Sequence, residues 1–154
     1  MQKITTFLWF DNQAEEAANY YVSVFGGDSE VLRTTYYPGA GPGETGSVMT
    51  VQFRLAGQEY VALNGGPQFP FTEAISLSVD CATQEEVDTL WAEFTADGEE
   101  GQCGWLKDRY GLSWQLVPRG FDEALSDPDP AKAARAMKAM MGMRKLDIEA
   151  LRNA

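Results

Sequence analysis

The 154-residue sequence predicts an α+β protein, two tandem copies of a βαβββ unit followed by a short helical tail. Three observations carry that prediction. The segment LWFD, a gap and EEAANYYVSVFGG is matched about 70 residues later by LSVD, a gap and EEVDTLWAEFTADG, each reading strand, Asp, Glu-Glu, amphipathic helix, glycine. Each copy is followed by short runs of alternating apolar and polar residues separated by turn signals, the pattern of half-buried strands. Past residue 126 the alternation stops and an Ala- and Met-rich helical periodicity replaces it. The expected organisation is a duplicated domain over residues 1–125, with halves at about 1–66 and 73–120, and a tail over 126–154 that packs on the domain or on a partner subunit.

Residues 3–10 (KITTFLWF) are β-branched and aromatic, which favours a strand. Asp11 then caps a helix whose apolar positions Ala14, Ala17, Ala18, Tyr21, Val22 and Phe25 fall at helical spacing, and Gly26 and Gly27 end it. Residues 30–37 read as a second strand, and 38–46 (PGAGPGETG) as a flexible loop. Residues 47–55 alternate, a turn at Gly57-Gln58 follows, and 59–63 return as a hairpin partner. In the second copy, 75–79 form a strand and Asp80 opens a helix over about 83–96, with Val87, Leu90, Trp91 and Phe94 as its apolar face. Asp97-Gly98 stops it. Residues 104–107, a turn at Tyr110-Gly111 and residues 112–117 complete the copy, whose middle strand has no clear sequence signal. In the tail, DPDP supplies an N-cap and an N1 proline. Ala133, Met137, Met140 and Met141 then form an apolar stripe for packing on the domain or a second subunit, and a short helix near 148–152 ends the chain.

Composition narrows the function. Hydrophobic residues at 44% and charged residues at 23% are those of a soluble globular protein. Twelve Lys and Arg against 23 Asp and Glu leave a net charge of −11, a field that repels nucleic acid and anionic membrane surfaces. No stretch approaches the ~20 apolar residues of a membrane span. The absence of histidine removes Ser-His-Asp and Cys-His catalysis, HExxH zinc sites and imidazole proton shuttles. Cys81 and Cys103 form no CxxC pair, and two cysteines do not make a disulfide framework, so the expected compartment is the reducing cytoplasm. The N-terminus runs directly into a strand with no secretory apolar region, in keeping with that location.

Several motifs have a structural reading that outweighs a chemical one. The run Gly39 to Gly43 contains proline and leads into a strand, so it lacks the helix that a phosphate-binding turn requires. Glu15-Glu16 and Glu85-Glu86 sit in first helical turns, where they complement the macrodipole. Cys103 has no histidine to activate it and reads as an inert thiol. Ser113, Gln115 and Val117 share one face of their strand, as do Thr50, Gln52 and Arg54 of theirs. Two polar strand faces predict the lining of a shared cavity, since buried amides and hydroxyls need partners.

The motifs WFDNQAEEAANYYVSVF, SVMTVQFRLAGQEYVALNGGPQF and QCGWLKDRYGLSWQLVP resemble the PhnB-like branch of the vicinal oxygen chelate superfamily, which carries the family label 3-demethylubiquinone-9 3-methyltransferase and whose wider relatives include glyoxalase I, bleomycin-resistance proteins and extradiol dioxygenases. The resemblance implies a glyoxalase/bleomycin-resistance-like fold in which eight strands curl into a cupped sheet, assembled as a homodimer. It also implies four His or Glu metal ligands from the first and last strands of the two halves, at positions that fall near Thr6, Gln52, Ala74 and Gln115 of this chain. None is His or Glu, so no metal is expected. The methyltransferase label implies S-adenosylmethionine, but the glycine turn of a conventional site for it is missing and no cofactor is expected. The resulting expectation is a metal-independent, homodimeric, cytoplasmic protein that binds a small, partly aromatic or polar molecule. Thr6, Leu8, Thr50, Gln52, Ser76, Ser113 and Gln115 line its cup, with Trp105 and Asn64 at the rim. The alternatives are a metal-free enzyme, with Tyr110, Asp108 or Cys103 as its candidate base, and a non-catalytic dimeric scaffold.

Overall fold

Two helices of twelve residues each lie against their own four-stranded sheets, and the sheets have one plan. The computed structural model describes residues 2–154, and the chain divides into a first unit ending at Pro70 and a second from Phe71 to Ala154. Among the described residues no helix is long and apolar enough to cross a membrane.

The first unit runs β1 (Thr6–Phe10), α1 (Ala14–Phe25), β2 (Glu30–Tyr36), β3 (Val48–Leu55) and β4 (Gln58–Asn64). Its sheet has the order β1-β4-β3-β2, with β1 parallel to β4 and the other neighbours antiparallel. Alternation decides what is buried. Val51, Phe53 and Leu55 of β3, Leu8 and Phe10 of β1 and Ala62 of β4 lie under α1, which contributes Ala14, Ala17, Ala18 and Tyr21. The rings of Tyr21 and Phe53 stack at 6.3 Å. The β3–β4 turn is Ala56-Gly57, one residue earlier than the sequence suggests; both residues have positive φ (47° and 86°), as a two-residue hairpin turn requires. The loop over 38–46 is tied at its base, where Gly46 N donates to Tyr37 O at 2.8 Å and Tyr37 N to Ser47 O at 2.9 Å.

The second unit repeats the plan with β5 (Ser76–Cys81), α2 (Gln84–Thr95), β6 (Glu99–Glu100), β7 (Trp105–Lys107) and β8 (Ser113–Pro118), in the order β5-β8-β7-β6. The element with no clear sequence signal is β6: two glutamates offer neither alternation nor β-propensity, and only their pairing with Leu106 and Lys107 makes them a strand. Under α2 lie Trp114, Leu116 and Leu106, with Phe94 stacked on Trp114 at 4.8 Å.

Three helices follow: α3 (Phe121–Leu125), which the sequence did not announce, α4 (Pro130–Met141) and α5 (Ile148–Arg152). Asp129 caps α4 by accepting from Ala131 N, with Pro130 at the first position. The tail is fastened within the second unit. Gln84 donates to Leu146 O at 2.8 Å and accepts from Ile148 N at 2.9 Å, while Cys103 N and Gly104 N donate to Met143 O and Arg144 O. Of the methionine stripe, Met137 and Met141 are exposed, and Ala136 is the residue of α4 that is buried.

Candidate functional site

Each sheet has one face under its helix and one free of it, and the strand register shows which side chains occupy the free face. In the first unit Thr6 pairs with Tyr60, Leu8 with Ala62 and Phe10 with Asn64, while Gln52 pairs with Val61 and Thr50 with Leu63. Thr6 and Leu8 therefore share the helix side with Phe53 and Val51, and the structure does not bring them together with Thr50 and Gln52. The residues of β1 on the helix-free face are Phe7 and Trp9. This corrects the expected cup lining by one residue, which in a strand reverses the face. The cause lies in the duplication: LWFD aligns with LSVD at an offset of 69, so Ser76 corresponds to Phe7 and not to Thr6.

The buried polar side chains on the free face of the first unit are paired with one another or with backbone. Thr35 and Thr50 join hydroxyls at 2.5 Å, Gln52 Nε2 donates to Glu59 Oε1 at 3.1 Å, and Trp9 Nε1 donates to Gly66 O at 2.8 Å. Arg54 bonds Asp28 and Glu30 at 2.7 and 2.8 Å, which raises its pKa. Asn64, expected at a rim, is a structural side chain: its Oδ1 accepts from Ala14 N at 2.8 Å and its Nδ2 donates to Val48 O at 3.1 Å. It thereby caps α1, the role expected of Asp11; Gln13 at the cap position makes no side-chain bond of its own.

In the second unit Ser76, Ser113, Gln115 and Trp105 do share one face. Ser76 pairs with Ser113, Trp105 with Gln115 and Lys107 with Ser113, and the intervening Leu77, Trp114 and Leu106 turn to the helix. Gln115 Nε2 donates to Ser76 Oγ at 2.9 Å. Lys107 is ion-paired with Glu73: the carboxylate raises the pKa of the lysine, the ammonium lowers that of the carboxyl, and the pair is neutral overall. Ser113 is 1% exposed, and its Oγ is the buried side-chain polar atom without a hydrogen-bond partner among the described residues. It lines a small cavity of about 90 Å³ with Trp105, Lys107 and Glu73.

Two of the three candidate bases, Asp108 and Cys103, have their side chains in hydrogen bonds. Asp108 is buried and accepts from Tyr110 N at 2.8 Å, Leu112 N at 3.1 Å and Trp114 Nε1 at 2.9 Å, so it organises the β7–β8 turn. Cys103 donates to Met140 O at 3.6 Å. Burial pushes the Cys81 thiol up to about 12.

The donors do not fit a transition metal. Of the four positions implied for ligands, Gln52 is on β3 rather than the last strand of its half, and Ala74 precedes β5. The last strand of the first half presents Glu59 on the free face, a carboxylate the sequence reading missed because the assignment stopped one strand early. It is a single carboxylate bonded to Gln52, and no group of three or more His, Cys, Asp or Glu suited to a metal occurs among the described residues. The residues also do not fit S-adenosylmethionine held as in a doubly wound sheet: the strand-to-helix turns, Asp11-Asn12-Gln13 and Ala82-Thr83, contain no glycine.

The family model for 3-demethylubiquinone-9 3-methyltransferase matches residues 2–117. Among solved structures, the PhnB protein of Bacillus cereus, which carries that methyltransferase name, is 42% identical, with 76% of this chain and 99% of that chain covered and a TM-score of 0.69. A protein of Pseudomonas aeruginosa is 18% identical over 77% of this chain and 98% of its own, with a TM-score of 0.62. The fosfomycin resistance protein FosX of Listeria monocytogenes shares the fold at 10% identity, over 80% of this chain and 97% of its own, with a TM-score of 0.54. A search of curated proteins finds no significant match.

Proposed function

We propose that this chain, which belongs to the 3-demethylubiquinone-9 3-methyltransferase or PhnB-like family, is a metal-independent binding protein for a small, neutral, ring-bearing molecule. The observation that carries the reading is Ser113 Oγ, a buried hydroxyl with no partner on a face that otherwise satisfies its polar groups. Leaving such a group unmade costs about 1–3 kcal/mol, which a ligand that bonds it recovers. Around it, Ser76 and Gln115 offer a fixed hydroxyl–amide pair, and Trp105 offers an indole face for stacking. Lys107 is paired with Glu73, and Glu99 and Glu100 also line the cavity, so its charge disfavours an anionic ligand. Orientation by hydroxyls and amides with a covering aromatic suffices for sequestration and needs no base. The same reading takes the working form to be a homodimer in the cytoplasm, with exposed Phe7 and Tyr36 available for subunit contact.

The test is native mass spectrometry of the untagged protein beside its Ser113→Ala variant, with melting temperatures of both. The expected result is a dimer that retains an organic compound, and a variant that loses the compound while melting at the same or a higher temperature. A stoichiometric metal overturns the metal-independent reading. A wild type that retains nothing, and whose melting is unmoved by a panel of neutral aromatic metabolites at about 1 mM, overturns the binding reading.

A further inference from the structure

Past residue 117, where the family match ends, α3, α4 and α5 meet one another and border an open cavity of about 430 Å³. Every residue lining it lies in this appended stretch. Its floor is apolar, with Ala136 and Leu151 each 2% exposed and Ala124 beside them. Its wall carries both signs of charge, Arg119, Lys132 and Arg152 against Glu123 and Asp127.

The pairing among these charges is loose. Lys132 stands 3.8 Å from Asp127, and Arg119 turns to Asp80 at 3.7 Å. Asp127 Oδ1 is taken by Asp129 N at 2.9 Å. Arg152 and Glu123 make no hydrogen bond or ion pair among the described residues. What positions Arg152 is contact with backbone: Gly120 has φ +94°, and a Cβ there would stand 2.6 Å from Arg152 Nη2. The glycine thus admits the guanidinium to the cavity wall without a carboxylate to hold it there.

We propose that this cavity binds a free amino acid with an apolar side chain. The wall sets three cations, Arg119, Lys132 and Arg152, against two carboxylates, Glu123 and Asp127, and a zwitterion meets both signs with its own. Its carboxylate takes the guanidinium of Arg152, for which the planar two-donor edge is matched. Its ammonium takes Glu123, and its side chain covers Ala124, Ala136 and Leu151. The volume is in the range of small-molecule sites.

The experiment is an NMR titration of the full chain with L-leucine, following the methyl groups of Ala136 and Leu151, with N-acetyl-L-leucine and L-leucinamide as probes that each lack one charge. Saturable shifts with L-leucine are expected, with each single-charge probe more than about tenfold weaker. Arg152→Gln weakens binding by a similar factor, Arg152→Lys restores part of it, and Arg135→Gln, outside the cavity, leaves it unchanged. Binding persists in Ser113→Ala, which separates this site from the sheet site. No shift at about 10 mM L-leucine, or equal binding of either single-charge probe, overturns the proposal.

Discussion

The two halves of the protein share one strand order but complete it with different chemistry. In the first, α1 has no cap of its own and is closed by Asn64 from the end of β4; in the second, Thr83 accepts from Glu86 N while Glu86 accepts from Ala82 N, so α2 closes itself. The β3–β4 connection is a two-residue turn whose Ala56 N donates to Ser29 Oγ, whereas β7 and β8 are joined by a longer loop built on a buried carboxylate. The buried polar groups on the helix-free face of the first half are matched, and that of the second leaves one buried hydroxyl unmatched. A duplicated topology therefore fixes which strands pair, and leaves each half free to solve capping, turning and polar satisfaction separately. The half with the unsolved term is the one to examine for a ligand.

The sharpest break in this comparison is Asp108→Ala, which strips one acceptor from three donors in the second half and has no counterpart in the first. A loss of roughly 3 kcal/mol in urea unfolding is expected, and a loss below about 1 kcal/mol shows that water replaces the carboxylate. Removing the caps comes next. Asn64→Ala is expected to cost about 2 kcal/mol, because it releases both Ala14 N and Val48 O, against about 1 kcal/mol for Thr83→Ala; equal losses erase the distinction between a borrowed and a local cap. The smallest effect is in acid. Glu73, Asp88 and Glu100 have lowered pKa values, owed first to bonds from Lys107, Lys145 and Trp91, and all three lie in the second unit. A depressed carboxyl contributes stability above its unfolded value and loses it as pH falls through the folded one. Below about pH 4.5, amide exchange is expected to quicken in the second unit before the first; simultaneous quickening contradicts it.

Most of the fold is legible because apolar periodicity is strong where it matters. Ala14, Ala17, Ala18 and Tyr21 mark α1, Val87, Leu90, Trp91 and Phe94 mark α2, and all are buried. Weak elements escape, since Glu99-Glu100 and Phe121–Leu125 are defined by what they pair or pack with. The β1 face escapes for another reason. Alternation groups Thr6 with Leu8 and Phe7 with Trp9, but both sets are apolar enough for either side, and only the register with β4 decides. In β8 the polar set Ser113 and Gln115 stands against Trp114 and Leu116, and the face can be read directly. Asn64 as a cap lay beyond sequence reading, because its partner is 50 residues away.

That separation also orders events as the chain folds. The start of α2 closes within four residues and can form as soon as they exist, whereas the start of α1 stays open until β4 has been made and has paired beside β1. On a ribosome, the first helix to emerge thus waits through a further 50 residues of synthesis for its closing group, which arrives with the final residue of its own sheet, whereas the second has its cap in place before its first turn is made.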